Sequence, residues 1–372
     1  MSKIPLAKDY AEAVGVWCDK IENRSLLFDK FVFPKTWGDT NADTVRSDNA
    51  HRYTLMRITT NGREALQNEA ADLRRKANKP DVVPDRATRL RADAEWCDSL
   101  ANPNIGALDK LRAAHTARFL ELLRATYTDA NLRVVTARLE GRLAINLAEG
   151  LIQNGGINLD RIFGLPLING SSIKGVARSA ALEELKNATA GAGTDEKLAT
   201  FVRVFGVAES DWKGDLAQFA DIGEVNKKWF GNKRLALPLD QKGATVFLQA
   251  TPANAAQIVV DITNVHTPDY YQYEGILEKI KKERDQREKQ KLERKAEEAL
   301  KLHEHPQPNY FPAVERGAEF AFPILLNGMS QDTTLLAAAE GWLKIALEQR
   351  GLGAKTAAGY GWFSDISAEI AE

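Results

Sequence analysis

A change of texture at Leu132 constrains this chain more than any other feature of its sequence. Upstream, residues 62–127 are dominated by Ala, Leu, Arg and Glu. Two breaks, Pro80 to Pro84 and Asn102-Pro103-Asn104, divide that block, so composition and punctuation predict three helices. Downstream, Leu132-Arg133-Val134-Val135-Thr136-Ala137-Arg138-Leu139 reads as a strand of β-branched residues. A helix is expected from about Ile173 to Lys186, then strands at Ala244–Leu248, Gln257–Ile262 and Phe320–Leu326. A helix from Thr333 to Gln349 and a closing strand around Tyr360 to Phe363 complete the order. Such an order belongs to an α+β fold, with helices on one face of an antiparallel sheet. Alternation in His51 to Ile58 predicts a further strand nearer the start. Glu274 to Glu304 holds ten Lys/Arg against nine Asp/Glu, with no apolar residue between Lys281 and Lys291, and reads as a solvated helical insertion.

Charge narrows the function classes. Lys plus Arg total 50 against 51 Asp plus Glu, a formal net charge of −1, which excludes a polycation that coats nucleic acid indiscriminately. Any nucleic-acid site must be local. The two cysteines, Cys18 and Cys97, lie far apart and outside any CxxC spacing, so reduced thiols are expected rather than a disulfide framework or a zinc site. No stretch approaches the length of a membrane span, and a cytoplasmic protein is expected.

Three segments carry candidate chemistry. In Asn169-Gly170-Ser171-Ser172-Ile173-Lys174-Gly175-Val176-Ala177-Arg178, a Gly-Ser turn opens a helix whose unpaired N–H groups suit an anion. Ser171 or Ser172 is expected to cap it. Lys174 and Arg178, four apart, share one helix face. A capped surface helix with two solvated cations fits the same residues. In Gly351-Leu352-Gly353-Ala354-Lys355-Thr356-Ala357-Ala358-Gly359-Tyr360-Gly361, four glycines in eleven residues permit close approach of a ligand to backbone, or simply build a tight helix-to-strand turn. It is not a nucleotide P-loop, because the helix precedes it and Ala354 occupies the last glycine position. In Asp261-Ile262-Thr263-Asn264-Val265-His266-Thr267-Pro268-Asp269-Tyr270-Tyr271, Asp261 and His266 offer acid/base groups, and Tyr270 and Tyr271 offer a stacking platform. A hydrogen-bonded structural histidine is the favoured reading there. His303-Glu304-His305 lacks metal-site spacing, and neither a metal nor a cofactor is expected.

Taken in order, Gly164-Leu165-Pro166-Leu167-Ile168 leading into the Gly-Ser-Ser helix, the segment from Asp261 to Tyr271 and the glycine-rich segment 351–361 resemble the RAMP superfamily of CRISPR effector proteins. Within it they are most similar to the sixth subunit of the type III-B (Cmr) complex. Asn169 stands where that family usually has proline, and Val265 replaces a proline before His266. The resemblance implies a ferredoxin-like, RRM-related core with helical appendages. It divides the chain into 1–61 (N-terminal part of the fold), 62–130 (helical insertion), 131–273 (first core part), 274–305 (charged insertion) and 306–372 (second core part with the glycine-rich loop). It also implies a non-catalytic subunit that holds the 3′ side of a CRISPR RNA and caps a filament of backbone subunits. Its partners would be CRISPR RNA, target RNA, other Cmr-type RAMP subunits and the small helical subunit, without a membrane. RNA phosphates would then meet Asn169, Gly170, Ser171, Ser172, Lys174, Arg178, Gly351, Gly353, Lys355, Thr356, Gly359, Tyr360 and Gly361. Asp261, His266, Tyr270 and Tyr271 would be structural or close to the RNA. Other RAMP proteins cut precursor CRISPR RNA, so the alternative is an endoribonuclease with His266 or His51 as general base.

Overall fold

A computed structural model describes residues 22–30, 62–100, 108–148, 155–188, 192–219, 240–265, 268–283, 285–300, 307–328 and 330–369. In chain order the helices are α1 (Arg24–Lys30), α2 (Gly62–Ala77), α3 (Pro84–Leu100), α4 (Asp109–Thr126), α5 (Gly170–Asn187), α6 (Ala192–Phe205), α7 (Pro268–Lys282), α8 (Gln286–Leu300) and α9 (Thr334–Gln349). The strands are β1 (Leu132–Leu139), β2 (Gly206–Val207), β3 (Gln241–Lys242), β4 (Thr245–Phe247), β5 (Thr251–Pro252), β6 (Ile258–Val265), β7 (Gln307–Val314), β8 (Glu319–Leu326) and β9 (Phe363–Glu369). The expected strand at 51–58 lies outside the described residues. The three helices expected over 62–127 form, and Pro84 sits at the first position of α3, where its missing N–H costs nothing.

The main sheet runs β4-β8-β1-β9, and every pairing in it is antiparallel. Leaving aside the short β5, the chain meets these strands as β1, α5, β4, β8, α9, β9. Two strand-helix-strand units thus interleave with β1 and β8 at the centre, which is the ferredoxin-like arrangement. Helices α5 and α9 pack together over one face. They bury Ile173, Ala177, Ala181 and Leu185 from α5, and Leu336, Ala339, Leu343 and Leu347 from α9. Phe201, Phe205, Phe247 and Trp342 form an aromatic cluster at the edge of that layer, with Phe205 and Phe247 stacked 5.9 Å apart.

Contrary to the expectation of helices on one face only, α4 covers the other. Leu120 and Leu123 pack with Leu132, Val134, Ala321 and Leu325. Leu132 and Val134 alternate with Val135, Ala137 and Leu139, so β1 is apolar on both faces, as a strand covered on both sides must be. Thr116 secures α4 by a buried hydrogen bond of 2.9 Å with Thr251.

Pro323 shapes the edge of the sheet that matters for the site. It lies inside β8, and its carbonyl accepts the Leu248 N–H at 3.0 Å, so its ring nitrogen faces the β4–β5 side without a proton to donate. The neighbouring strand therefore breaks into β4 and β5. Between them Ala250 pairs instead with Ile168, donating and accepting at 2.9 and 3.0 Å. That bridge fixes the residue immediately before Asn169 and hence the start of α5.

Residues Val260–Phe311 form a compact unit of their own. In it β6 and β7 pair, and α7 packs against α8. The expected single charged helix is two, because Asp285 interrupts it: its carboxylate accepts the N–H groups of Arg287 (2.7 Å) and Glu288 (3.3 Å) and caps α8.

Candidate nucleic-acid interface

The first motif begins three residues earlier than expected. Gly170 is the first residue of α5, so Ser171 and Ser172 lie inside its first turn and cap nothing. Asn169 is the N-cap, with φ −65° and ψ 138°, and its carbonyl accepts the N–H groups of Ser172 and Ile173 at 3.0 and 3.1 Å. A proline would be locked near that φ, so Asn169 keeps the backbone geometry. Its side chain is taken up by Asn158, whose amide donates to Asn169 Oδ1 at 3.1 Å and to the Leu167 carbonyl at 2.8 Å. Gly170 is needed because a Cβ there would collide with the Phe247 carbonyl. The helix start is thereby pressed onto β4.

The glycine-rich segment turns the chain from α9 into β9. Tyr360 belongs to this turn and not to the strand, because Gly359 and Gly361 on either side hold φ of +89° and +71°. Lys355 is left-handed as well, at φ 60°, and opens the short 3₁₀ turn Thr356–Ala358. The segment is sewn to residues 140–146, which follow β1. Ala354 N–H donates to Ala144, Gly361 N–H to Arg142, and Glu140 N–H to Trp362, at 2.8, 2.7 and 2.9 Å. Leu352 N–H donates to Gly361 across the turn at 2.8 Å, and a Cβ on Gly361 would strike the Leu352 carbonyl.

These two motifs, far apart in sequence, line one cleft of about 550 Å³. Ser172, Val176 and Ser179 of α5 form one wall, and Gly351, Gly353, Ala354 and Thr356 another, with Ile145 to Ala148 between. Backbone and small side chains dominate the lining, so a ligand's own backbone can approach closely.

The cations divide into two kinds. Arg178 donates to Asp211 (3.0 Å) and Asp215 (2.7 Å) and lies over the Phe201 ring, 5.3 Å from its centroid. It ties α5 to the turns after β2. Arg350, in the cleft wall, donates to Ser179 at 2.8 Å and pairs with Glu183. Lys174 has no carboxylate partner among the described residues. Half-buried, it is held below the usual lysine range by burial and by the charge of Arg178. This difference is invisible in the local sequence, because the partners of Arg178 lie more than thirty positions away.

The third segment is described only in part. Asp261 lies on β6, where its carboxylate accepts the Ile262 N–H at 2.8 Å. Tyr270 and Tyr271 belong to α7. His266, His51, Cys18 and His303 to His305 lie outside the described residues. Among the described residues no three His, Cys, Asp or Glu side chains gather as metal ligands, and no helix is long and apolar enough to cross a membrane.

Residues 151–364, more than half of the chain, match the model of the RAMP superfamily, a span holding both walls of the cleft. The chain belongs to this superfamily. A RAMP relative, the CRISPR system Cmr subunit Cmr6 of Pyrococcus furiosus, is 26% identical over 267 residues, covering 63% of this chain and 69% of the relative. Among solved structures, a chain of the type III-B Cmr-beta complex bound to cognate target RNA matches with TM-score 0.42 and 17% identity, over 79% of each chain. The crystal structure of Cmr6 from Pyrococcus furiosus matches with TM-score 0.31 and 19% identity, over 64% of this chain and 98% of that one.

Proposed function

We propose that this RAMP protein is a non-catalytic, RNA-binding subunit of a type III-B CRISPR effector complex, holding the 3′ side of the CRISPR RNA and capping the backbone filament. Superfamily membership and the likeness to a Cmr6 subunit support the setting. The observation that carries RNA binding is Lys174. It is a half-buried cation with no carboxylate partner among the described residues, in the first turns of α5, on the helix side away from Ser172, Val176 and Ser179, which line the cleft. A phosphodiester supplies the missing charge. Contacts of this kind hold a strand without reading its bases, as a complex that accepts any guide requires. Ser172, Gly351, Gly353 and Thr356 line the path of the strand, with Gly170, Ser171, Lys355, Gly359, Tyr360 and Gly361 beside it in the chain.

The test is RNA retention by the assembled complex across a salt series, with Lys174→Ala. One lost phosphate contact on a single strand lowers the salt slope by about 0.7. Unchanged retention and slope in that variant would refute the assignment. Purified chain is expected to leave labelled repeat RNA intact, and cleavage abolished by His266→Ala would establish the endoribonuclease alternative instead.

A further inference from the structure

Away from the cleft, two arginines are buried side by side where α1, α4 and the turn 160–164 meet. Arg24, the first residue of α1, is 8% exposed, and Arg112 of α4 is 5% exposed. Arg112 is fully employed. Its Nε donates to the Phe163 carbonyl at 2.7 Å, and its two terminal nitrogens reach Asp109 at 2.7 Å and the Glu22 carbonyl at 3.2 Å. Arg24 is the opposite case. Its guanidinium has no hydrogen bond or ion pair among the described residues, and its Nε is buried without a partner. Asp109 is the carboxylate nearby, and Arg112 already holds it. Asp109 thus faces both guanidinium groups, and among the described residues it makes its ion pair with Arg112 and none with Arg24. Burial, and then the charge of Arg112, lower the pKa of Arg24 to about 10.

The surrounding turn is tightly built. Asn23 donates to the carbonyls of Arg161 (2.9 Å) and Ile162 (2.7 Å), Asp160 accepts the N–H groups of Ile162 and Phe163, and His115 packs its ring on Phe163. Gly164, at φ +66°, lets the turn lie against the backbone of Arg24. Arg161 is exposed on the same turn. A guanidinium placed by this many hydrogen bonds, and given no ion pair among the described residues, is poised to receive an anion from outside.

We propose that Arg24, braced by Arg112, binds a phosphate group, and that this phosphate belongs to the RNA strand held by Lys174 at the start of α5. The RNA source rests on the function proposed above. A phosphate suits the guanidinium fork, and a polyanion also satisfies exposed Arg161, which a single carboxylate would not. Continuity with the start of α5 favours RNA. The turn runs from Gly164 to Asn169 in five residues, at most about 18 Å of extended chain, so one strand can touch both places.

The experiment compares wild type, Arg24→Met, Arg24→Lys and Lys174→Ala as full chains. Melting is followed in sodium phosphate and in sodium chloride of equal ionic strength, and a labelled twelve-nucleotide single-stranded RNA is titrated over a salt series. Wild type is expected to melt several degrees higher in phosphate. Arg24→Met should melt above wild type in chloride, because an unpaired buried charge is gone, and gain nothing from phosphate. Arg24→Lys, which keeps the charge but loses the fork, should retain part of the phosphate gain and shows whether a failure of the Met variant is one of folding. RNA affinity should fall five- to tenfold in Arg24→Met, with a salt slope smaller by about 0.7. A phosphate response that survives in Arg24→Met overturns the site. A response lost in Arg24→Met with RNA affinity unchanged assigns the site to free phosphate and overturns the RNA source. Normal RNA binding by Lys174→Ala, with loss in Arg24→Met, leaves this site standing and removes the Lys174 contact instead.

Discussion

Lys174 and Arg178 lie one helical turn apart, yet they do different work. Arg178 spends its charge inside the protein, on Asp211, Asp215 and the Phe201 ring. Replacing it with Met leaves two carboxylates without their cation and is expected to cost about 1–3 kcal/mol in chemical unfolding. The sign with pH follows. The hydrogen bond from Arg178, and then its charge, hold Asp215 below the usual aspartate range. A carboxylate whose folded pKa is depressed contributes stability that is complete above its unfolded value of about 3.9 and is lost as pH falls through the folded value. Below about pH 4, wild type should therefore lose stability more steeply than Arg178→Met, and parallel curves would contradict the pairing. Lys174 runs the other way. Its folded pKa is lowered, so its charge burdens the folded state at neutral pH, and Lys174→Ala should melt no lower than wild type. Loss of RNA retention in that variant then reports a contact and not a fold defect.

At the scale of elements, the glycines separate those that build from those that leave room. Gly361→Ala drives a Cβ into the Leu352 carbonyl and forces a left-handed φ on alanine. It is expected to lower the melting temperature sharply or abolish soluble expression. Gly175, exposed in α5 beside Lys174, has open space where its Cβ would be. Gly175→Ala should stabilise the protein by about 0.5–1 kcal/mol, from helix propensity alone. Weaker RNA retention in this more stable variant would place the RNA backbone against that face. Much of the fold could be read from local sequence. The three helices of 62–127, β1 to the residue, β8 and α9 follow from composition and periodicity. What could not be read depends on distant partners. The covering of the second sheet face by α4 required knowing what opposes Leu120 and Leu123. The start of α5 at Gly170 is set by the Ala250–Ile168 bridge, itself a consequence of Pro323 some 150 residues downstream. The two motifs of the cleft were each visible, but only the ferredoxin-like order places them face to face.

For the molecule as a whole, a net charge of −1 suits a shared RNA site better than a solitary one. Most of the cations that the structure describes near the cleft are paired, and Lys174 stands out by having no such partner among the described residues. Under the proposed function, one lysine and a backbone-lined cleft would hold RNA weakly alone and gain by joining neighbouring subunits along the same strand. The charged helices α7 and α8 belong to the separate compact unit Val260–Phe311. Replacing 274–304 with a short Gly-Ser linker should leave a soluble protein that melts within a few degrees of wild type, and loss of soluble expression would show that the insertion is part of the folding unit. The most direct measurement is purification of the tagged chain from its own host, with sequencing of the bound RNA and identification of the bound proteins. An RNA of CRISPR-repeat origin, recovered with other RAMP subunits and reduced by Lys174→Ala, is the expected result. Recovery of the chain free of RNA and of RAMP partners would contradict the account.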